Sequence, residues 1–177
     1  VEGRENVSVE RNKGVGSLFA QDKDNDLPNF YRVNYGLYRG GQPSEEGFKR
    51  LSQLGIKTVL DLRDDGERAR SEEQKAHDAG LRYINLPMDN FFKPNDRRVA
   101  EVMSIISVAE NQPIFVHCKR GSDRTGTIIA IYRIEYDGWT SEEAKEEAKR
   151  FGLGFWPTAV ALVLLAVAVL VGAVFLS

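Results

Sequence analysis

The stretch that most narrows the possible folds is Pro113-Ile114-Phe115-Val116, followed by His117 to Gly126 and then by Thr127-Ile128-Ile129-Ala130-Ile131-Tyr132. A strand with one wet face alternates polar and apolar residues. This one has no polar position and reads as a strand covered on both faces. The helix that follows is apolar on most sides and must be buried too. A covered strand that feeds a covered helix through a short loop is the repeating unit of an α/β protein.

The surrounding sequence fits that architecture. Ser44 can cap a helix whose Phe48, Leu51 and Leu54 share a face, with Gly55 as its stop. Thr58 to Leu62 and Tyr83 to Pro87 read as strands, and Ser71 with Gln74 forms a capping box for a short helix ending at Gly80. Asp96 is placed to cap a helix carrying Val99, Val102, Met103 and Ile106, and Thr140 with Glu143 caps a charged helix before Gly152. The α/β domain is thus expected over residues 30–152. Residues 1–29 are polar and charged and read as a flexible N-terminal tail.

At the other end, residues 159–176 form an uncharged apolar run that as a helix would reach roughly 27 Å, enough to cross a bilayer. With 153–158 as an interfacial linker bearing Phe155 and Trp156, this predicts a single-pass C-terminal membrane anchor. Lys145, Lys149 and Arg150 before the run would place the domain on the cytoplasmic side.

Composition removes other classes. With 26 acidic and 24 Lys or Arg side chains, the chain lacks the positive excess of a nucleic-acid binder held by bulk charge. Cys118 is its single cysteine and His77 and His117 its two histidines, so neither an internal disulfide nor a multi-cysteine metal site is possible. No metal or other cofactor is expected.

Chemistry concentrates in His117-Cys118-Lys119-Arg120-Gly121-Ser122-Asp123-Arg124-Thr125-Gly126. A loop joining a strand end to a helix N-terminus can wrap its backbone N–H groups around an anion on the helix axis. The same donors favour a thiolate at Cys118, which is then a nucleophile needing no separate base. Arg124 offers a planar fork for two phosphate oxygens, which a lysine cannot imitate. Thr125 is placed to hydrogen-bond the sulfur and ease its departure. Lys119, Arg120, Gly121, Ser122 and Asp123 are the candidate substrate-binding positions, Asp123 doubling as a brace for the loop or the arginine. Gly121 and Gly126 would permit tight turning and close helix packing. His117 reads as a residue that orients the loop, and His77 as a surface residue of a polar helix.

With these residues in view, the chain resembles the cysteine-dependent protein tyrosine phosphatase superfamily, in its small dual-specificity branch. The signature His-Cys-x5-Arg-Thr-Gly stands at His117 to Gly126, and Tyr38-Arg39-Gly40-Gly41-Gln42-Pro43 and Asp61-Leu62-Arg63 are also similar to that branch. The resemblance covers about residues 30–152. It implies an α/β fold with a central mixed sheet flanked by helices, a phosphocysteine intermediate at Cys118, and a general acid on a separate loop upstream. Asp89 and Asp96 both lie in the stretch where such a loop falls. Asp89 is the better candidate, because it follows a strand end beside aromatic residues, whereas Asp96 precedes a helix and suits an N-cap.

The implied substrates are phosphotyrosine or phosphoserine/threonine proteins. Lys119 and Arg120 leave a phosphoinositide or inositol phosphate as the alternative. A membrane-tethered phosphate-binding module without turnover is the reading from another class.

Overall fold

The computed structural model describes residues 25–64, 66–88 and 96–154. Five strands form one sheet: β1 (Tyr31–Arg32), β2 (Leu37–Gly40), β3 (Thr58–Asp61), β4 (Arg82–Asn85) and β5 (Ile114–His117). Their order across the sheet is β1-β2-β5-β3-β4, with β1 antiparallel to β2 and every other pairing parallel. The sheet is therefore mixed, with β5 at its centre. Five helices accompany it among the described residues: α1 (Glu45–Gln53), α2 (Glu67–Asp78), α3 (Asp96–Ser107), α4 (Asp123–Glu135) and α5 (Ser141–Arg150).

Strand alternation divides the core into two layers. From β5, Ile114 and Val116 point to one face and pack with Val99, Val102 and Ile106 of α3 and Ile128 and Ile129 of α4. Phe115 points to the other, against Phe48 and Leu51 of α1 and Ala76 of α2. All of β5 is buried, which explains its lack of any polar alternation. Helix α5 packs on the outside of α4. There Arg133 crosses to Glu147 at 2.8 Å and lies 4.5 Å from the Trp139 ring centre, so a buried cation is met by a carboxylate and a π face.

Local signals placed several ends well. Ser44 accepts from the Gly47 N–H at the start of α1, Gly55 follows it at φ 79°, and Thr140 and Glu143 form the expected capping box of α5. α2 differs: it starts at Glu67, a turn before Ser71, after Gly66 at φ 136° and without a side-chain cap. Its inward row is Ala69, Glu72 and Ala76, and Ser71 lies on the exposed side, so the apparent capping box sits within the helix.

Two boundary readings need correction. The segment 26–29 belongs to the folded body: Leu27 is buried against α1, and the carbonyls of Asp26 and Pro28 accept from the N–H groups of Ser44 and Gly41. At the other end Leu153 is also buried, its N–H bonded to the Ala148 carbonyl.

The membrane anchor is corrected as well. No helix among the described residues is long and apolar enough to cross a bilayer, and residues 159–176 lie outside them. The described residues form the α/β domain and contain no transmembrane helix, so the expected membrane anchor, localisation and orientation have no support in the fold.

Candidate active site

The signature loop leaves the sheet at the C-terminal end of β5, its fully buried central strand, and enters α4 at Asp123. Cys118 is the first residue beyond the strand and is 4% exposed. The loop's shape is set by donors from outside it. Gln42 N–H donates to the Lys119 carbonyl at 3.2 Å, Asn29 Nδ2 to that of Arg120 at 3.3 Å, and Arg39 Nη2 to that of Gly121 at 2.8 Å. Three consecutive carbonyls are drawn outward. Among the described residues no protein acceptor takes the N–H groups of Lys119, Arg120, Gly121 or Ser122. A loop with its carbonyls engaged and its N–H groups free can receive an anion where the N-terminus of α4 adds its own partial positive charge.

Arg39 lies beneath the loop. Its side chain is fully buried, its guanidinium carbon lies 3.9 Å from the Phe151 ring centre, and Nε and Nη1 have no hydrogen-bond partner among the described residues. Burial pulls its pKa down to about 10, against the opposing influence of Glu147 and Cys118, so it remains a cation at neutral pH. A positive charge is thus fixed under the loop.

Gly121 is required twice over. It has φ 74°, and a Cβ there would lie 2.5 Å from the carbonyl carbon of Gly40. Gly121→Ala is expected to cost about 2–4 kcal/mol, measured as a lowered thermal midpoint. Gly126 gives the contrast. A Cβ there meets nothing nearer than 3.7 Å, so close packing does not require glycine and Gly126→Ala is expected to leave the midpoint unchanged or raise it.

Arg124 is in the first turn of α4 and points across the end of the sheet. Its Nη1 donates to the Leu62 carbonyl at 3.0 Å and approaches the Met88 carbonyl at 3.5 Å. The Leu62 N–H in turn donates to the carbonyl of His117, the residue before Cys118. Arginine and cysteine are therefore brought to one place through a single intervening backbone unit. Asp64, largely exposed, has a carboxylate oxygen 3.9 Å from Arg124 Nη1.

The remaining signature residues divide. The Thr125 hydroxyl is buried with no hydrogen-bond partner among the described residues. Lys119 and Arg120 are exposed on the loop, and Arg120 is paired to Asp123 at 2.6 Å. Ser122 is buried; its hydroxyl lies 3.2 Å from where a Gly152 Cβ would stand, so it faces the end of α5. His77 is exposed on α2. Asp89 lies outside the described residues, and Asp96 is the first residue of α3.

Beneath the loop is a buried polar cluster that sequence reasoning missed. Arg63 binds Asp61 through two bonds, Nε to Oδ1 at 2.9 Å and Nη2 to Oδ2 at 2.7 Å, and also donates to Glu72. The Tyr83 hydroxyl donates to Asp61 at 2.8 Å, and His117 Nε2 stands 2.9 Å from Glu72 Oε1. Burial works against ionisation of Asp61, but the bonds from Arg63 and the neighbouring His117 outweigh it and hold its carboxyl below the usual range. Burial and Asp61 together push the Tyr83 phenol well above its ordinary value. Asp61, Glu72 and His117 are close enough to share a cation, but the Arg63 guanidinium bonded to both carboxylates already supplies positive charge there. Asp61 and Arg63 were visible only as part of the resemblance. Glu72 gave no signal, since a single inward glutamate on a polar helix looks like a solvated one.

Comparison with known proteins agrees with this geometry. A family model described as the DSP-PTPase phosphatase fused to NAD+ kinase matches residues 18–154. The dual specificity protein phosphatase TpbA of Pseudomonas aeruginosa is 35% identical over 127 residues, which is 71% of this chain and 56% of that protein. An inositol diphosphatase of Oryza sativa subsp. japonica is 29% identical over 128 residues, 70% of this chain and 56% of that protein. The chain spans a little over half the length of these relatives. The crystal structure of TpbA superposes with a TM-score of 0.64 at 28% identity, covering 78% of this chain and 84% of that one. The match over residues 18–154 shows that the chain belongs to this family of dual-specificity, cysteine-dependent phosphatases.

Proposed function

We propose that this chain hydrolyses phosphate monoesters through a phosphocysteine at Cys118. The observation that carries the reading is the loop whose three carbonyls are tied outward while its N–H groups remain free, with Cys118 at one end and Arg124 at the other. The loop N–H groups and Arg124 hold the phosphoryl oxygens, and Cys118 attacks phosphorus as the leaving oxygen takes a proton. Thr125 then donates to the sulfur as it departs and water takes the phosphoryl group.

Asp89 supplies that proton. The support is covalent: Asp89 directly follows Met88, whose carbonyl faces Arg124 and whose N–H is bonded to Leu62. One residue step from there is about 3.8 Å. Asp96, the alternative acid, is the first residue of α3. Asp89→Asn is expected to lower kcat on a small aryl phosphate by about 100-fold, and Asp96→Asn by less than about 3-fold. The reverse order would transfer the role.

Phosphotyrosine or phosphoserine/threonine proteins are the favoured substrates. Arg120, the residue that could take an additional phosphate, is already neutralised by Asp123. An inositol phosphate remains the second reading, supported by exposed Lys119 and by the relative named as an inositol diphosphatase. Turnover of a phosphotyrosine peptide against a soluble inositol diphosphate, compared as kcat/KM, separates them. A chain that binds phosphate but releases none from any of these would be a binding module.

A further inference from the structure

Glu72 sits on α2 and belongs to none of the motifs that carry the resemblance. It is 3% exposed. Oε2 accepts from Arg63, while Oε1 has no aligned hydrogen bond yet lies 2.9 Å from His117 Nε2, which has none either. The contact is short and oblique to the ring N–H. Among the described residues neither atom has another hydrogen-bond partner, so a buried donor and a buried acceptor face each other.

The groups around the His117 ring leave no other partner for that edge. Asp61 Oδ1 from β3 is 3.9 Å from Nε2, but it is already filled by the Arg63 backbone N–H and Nε, and Oδ2 is filled by Arg63 Nη2 and the Tyr83 hydroxyl. Two carboxylates share one guanidinium, so excess negative charge faces the imidazole. The opposite ring atom, Nδ1, lies 3.4 Å from the carbonyl of Cys118, and the ring stacks on Phe115 at 5.6 Å.

We infer that Glu72 is a positioning residue for the nucleophile: it holds the Nε2–H of His117 and so fixes the backbone of the residue joined directly to Cys118. This rests on the phosphatase reading for its kinetic consequence only. The chain of contact runs from Glu72 to His117 to Cys118, and it sets the direction of the Cys118 side chain without touching the phosphate. Loss of the Glu72 charge therefore slows the attack while the loop N–H groups and Arg124 keep their grip on substrate.

The test compares the native chain with Glu72→Gln, His117→Asn and the double variant, with thermal unfolding run alongside. Glu72→Gln is expected to lower kcat on a small aryl phosphate by about 10- to 100-fold with KM within about 2-fold. In the His117→Asn background the same change is expected to add less than about 2-fold, because the path is already cut. Equal losses in both backgrounds, or a lowered thermal midpoint with unchanged kcat, would overturn the inference.

Cys118 is the single cysteine, so alkylation by iodoacetamide at neutral pH reads its reactivity even if the native chain turns over no substrate. Slower alkylation in Glu72→Gln, absent in the His117→Asn background, supports the positioning role under either outcome for catalysis; an unchanged rate contradicts it. Nitrogen NMR of the native chain covers the case of a variant that does not fold. With two histidines in the chain, His117 is readily assigned, and an unprotonated Nε2 would overturn the inference outright.

Discussion

Cys118→Ser is expected to reduce turnover of a small aryl phosphate by at least about 10⁴-fold while leaving the fold and phosphate binding intact. A serine hydroxyl is close in size to a thiol, and Cys118 is buried at a strand end where little space changes hands. The loop that holds the phosphate is shaped by Gln42, Asn29 and Arg39, none of which depends on the sulfur. What disappears is the nucleophile, because a serine hydroxyl stays protonated at neutral pH and attacks phosphorus far more weakly than a cysteine sulfur. Steady-state kinetics with a thermal midpoint as control checks this. Residual activity within about 10-fold of the native chain would mean that hydrolysis proceeds without the cysteine.

Arg124→Lys is the second large effect, expected to cost about 10²- to 10³-fold in kcat/KM, equivalent to about 3–4 kcal/mol of transition-state stabilisation. The conservative charge does not rescue it. In the native chain Nη1 is anchored on the carbonyls of Leu62 and Met88, and the planar head group keeps other N–H donors for the phosphoryl oxygens. A lysine has one point of charge and must choose between anchor and substrate. A loss shared between KM and kcat is the expected pattern, since the fork touches both bound substrate and transition state. Near-native kinetics in Arg124→Lys would show that charge alone suffices.

Much of this was legible in the residues themselves. The unbroken apolar β5, the buried α4 and the caps at Ser44 and Thr140 are local patterns with local causes, and they placed the signature loop at a strand-to-helix junction. Tertiary pairing was not legible. β2 carries Arg39 in an otherwise small strand, and only its parallel pairing with β5 puts that arginine beneath Gly121. α2 was not legible in two respects, a capping box that lies within the helix and an inward Glu72 whose partners are Arg63, just beyond β3, and His117 of β5. At the C-terminus the anchor expectation rested on hydropathy and length alone, and no helix among the described residues is long and apolar enough to cross a bilayer. Asp89 was singled out from its strand end, and the described chain stops one residue short of it.

The central claim is that the phosphoryl group passes through the sulfur of Cys118. Acid quenching of the native chain during turnover of a small aryl phosphate, followed by peptide mass spectrometry, tests it most directly. The account predicts one phosphoryl group on the peptide containing Cys118, labile to base and missing in Cys118→Ser. Full turnover with no phosphorylated cysteine, or a phosphoryl group found on any other residue, would contradict it.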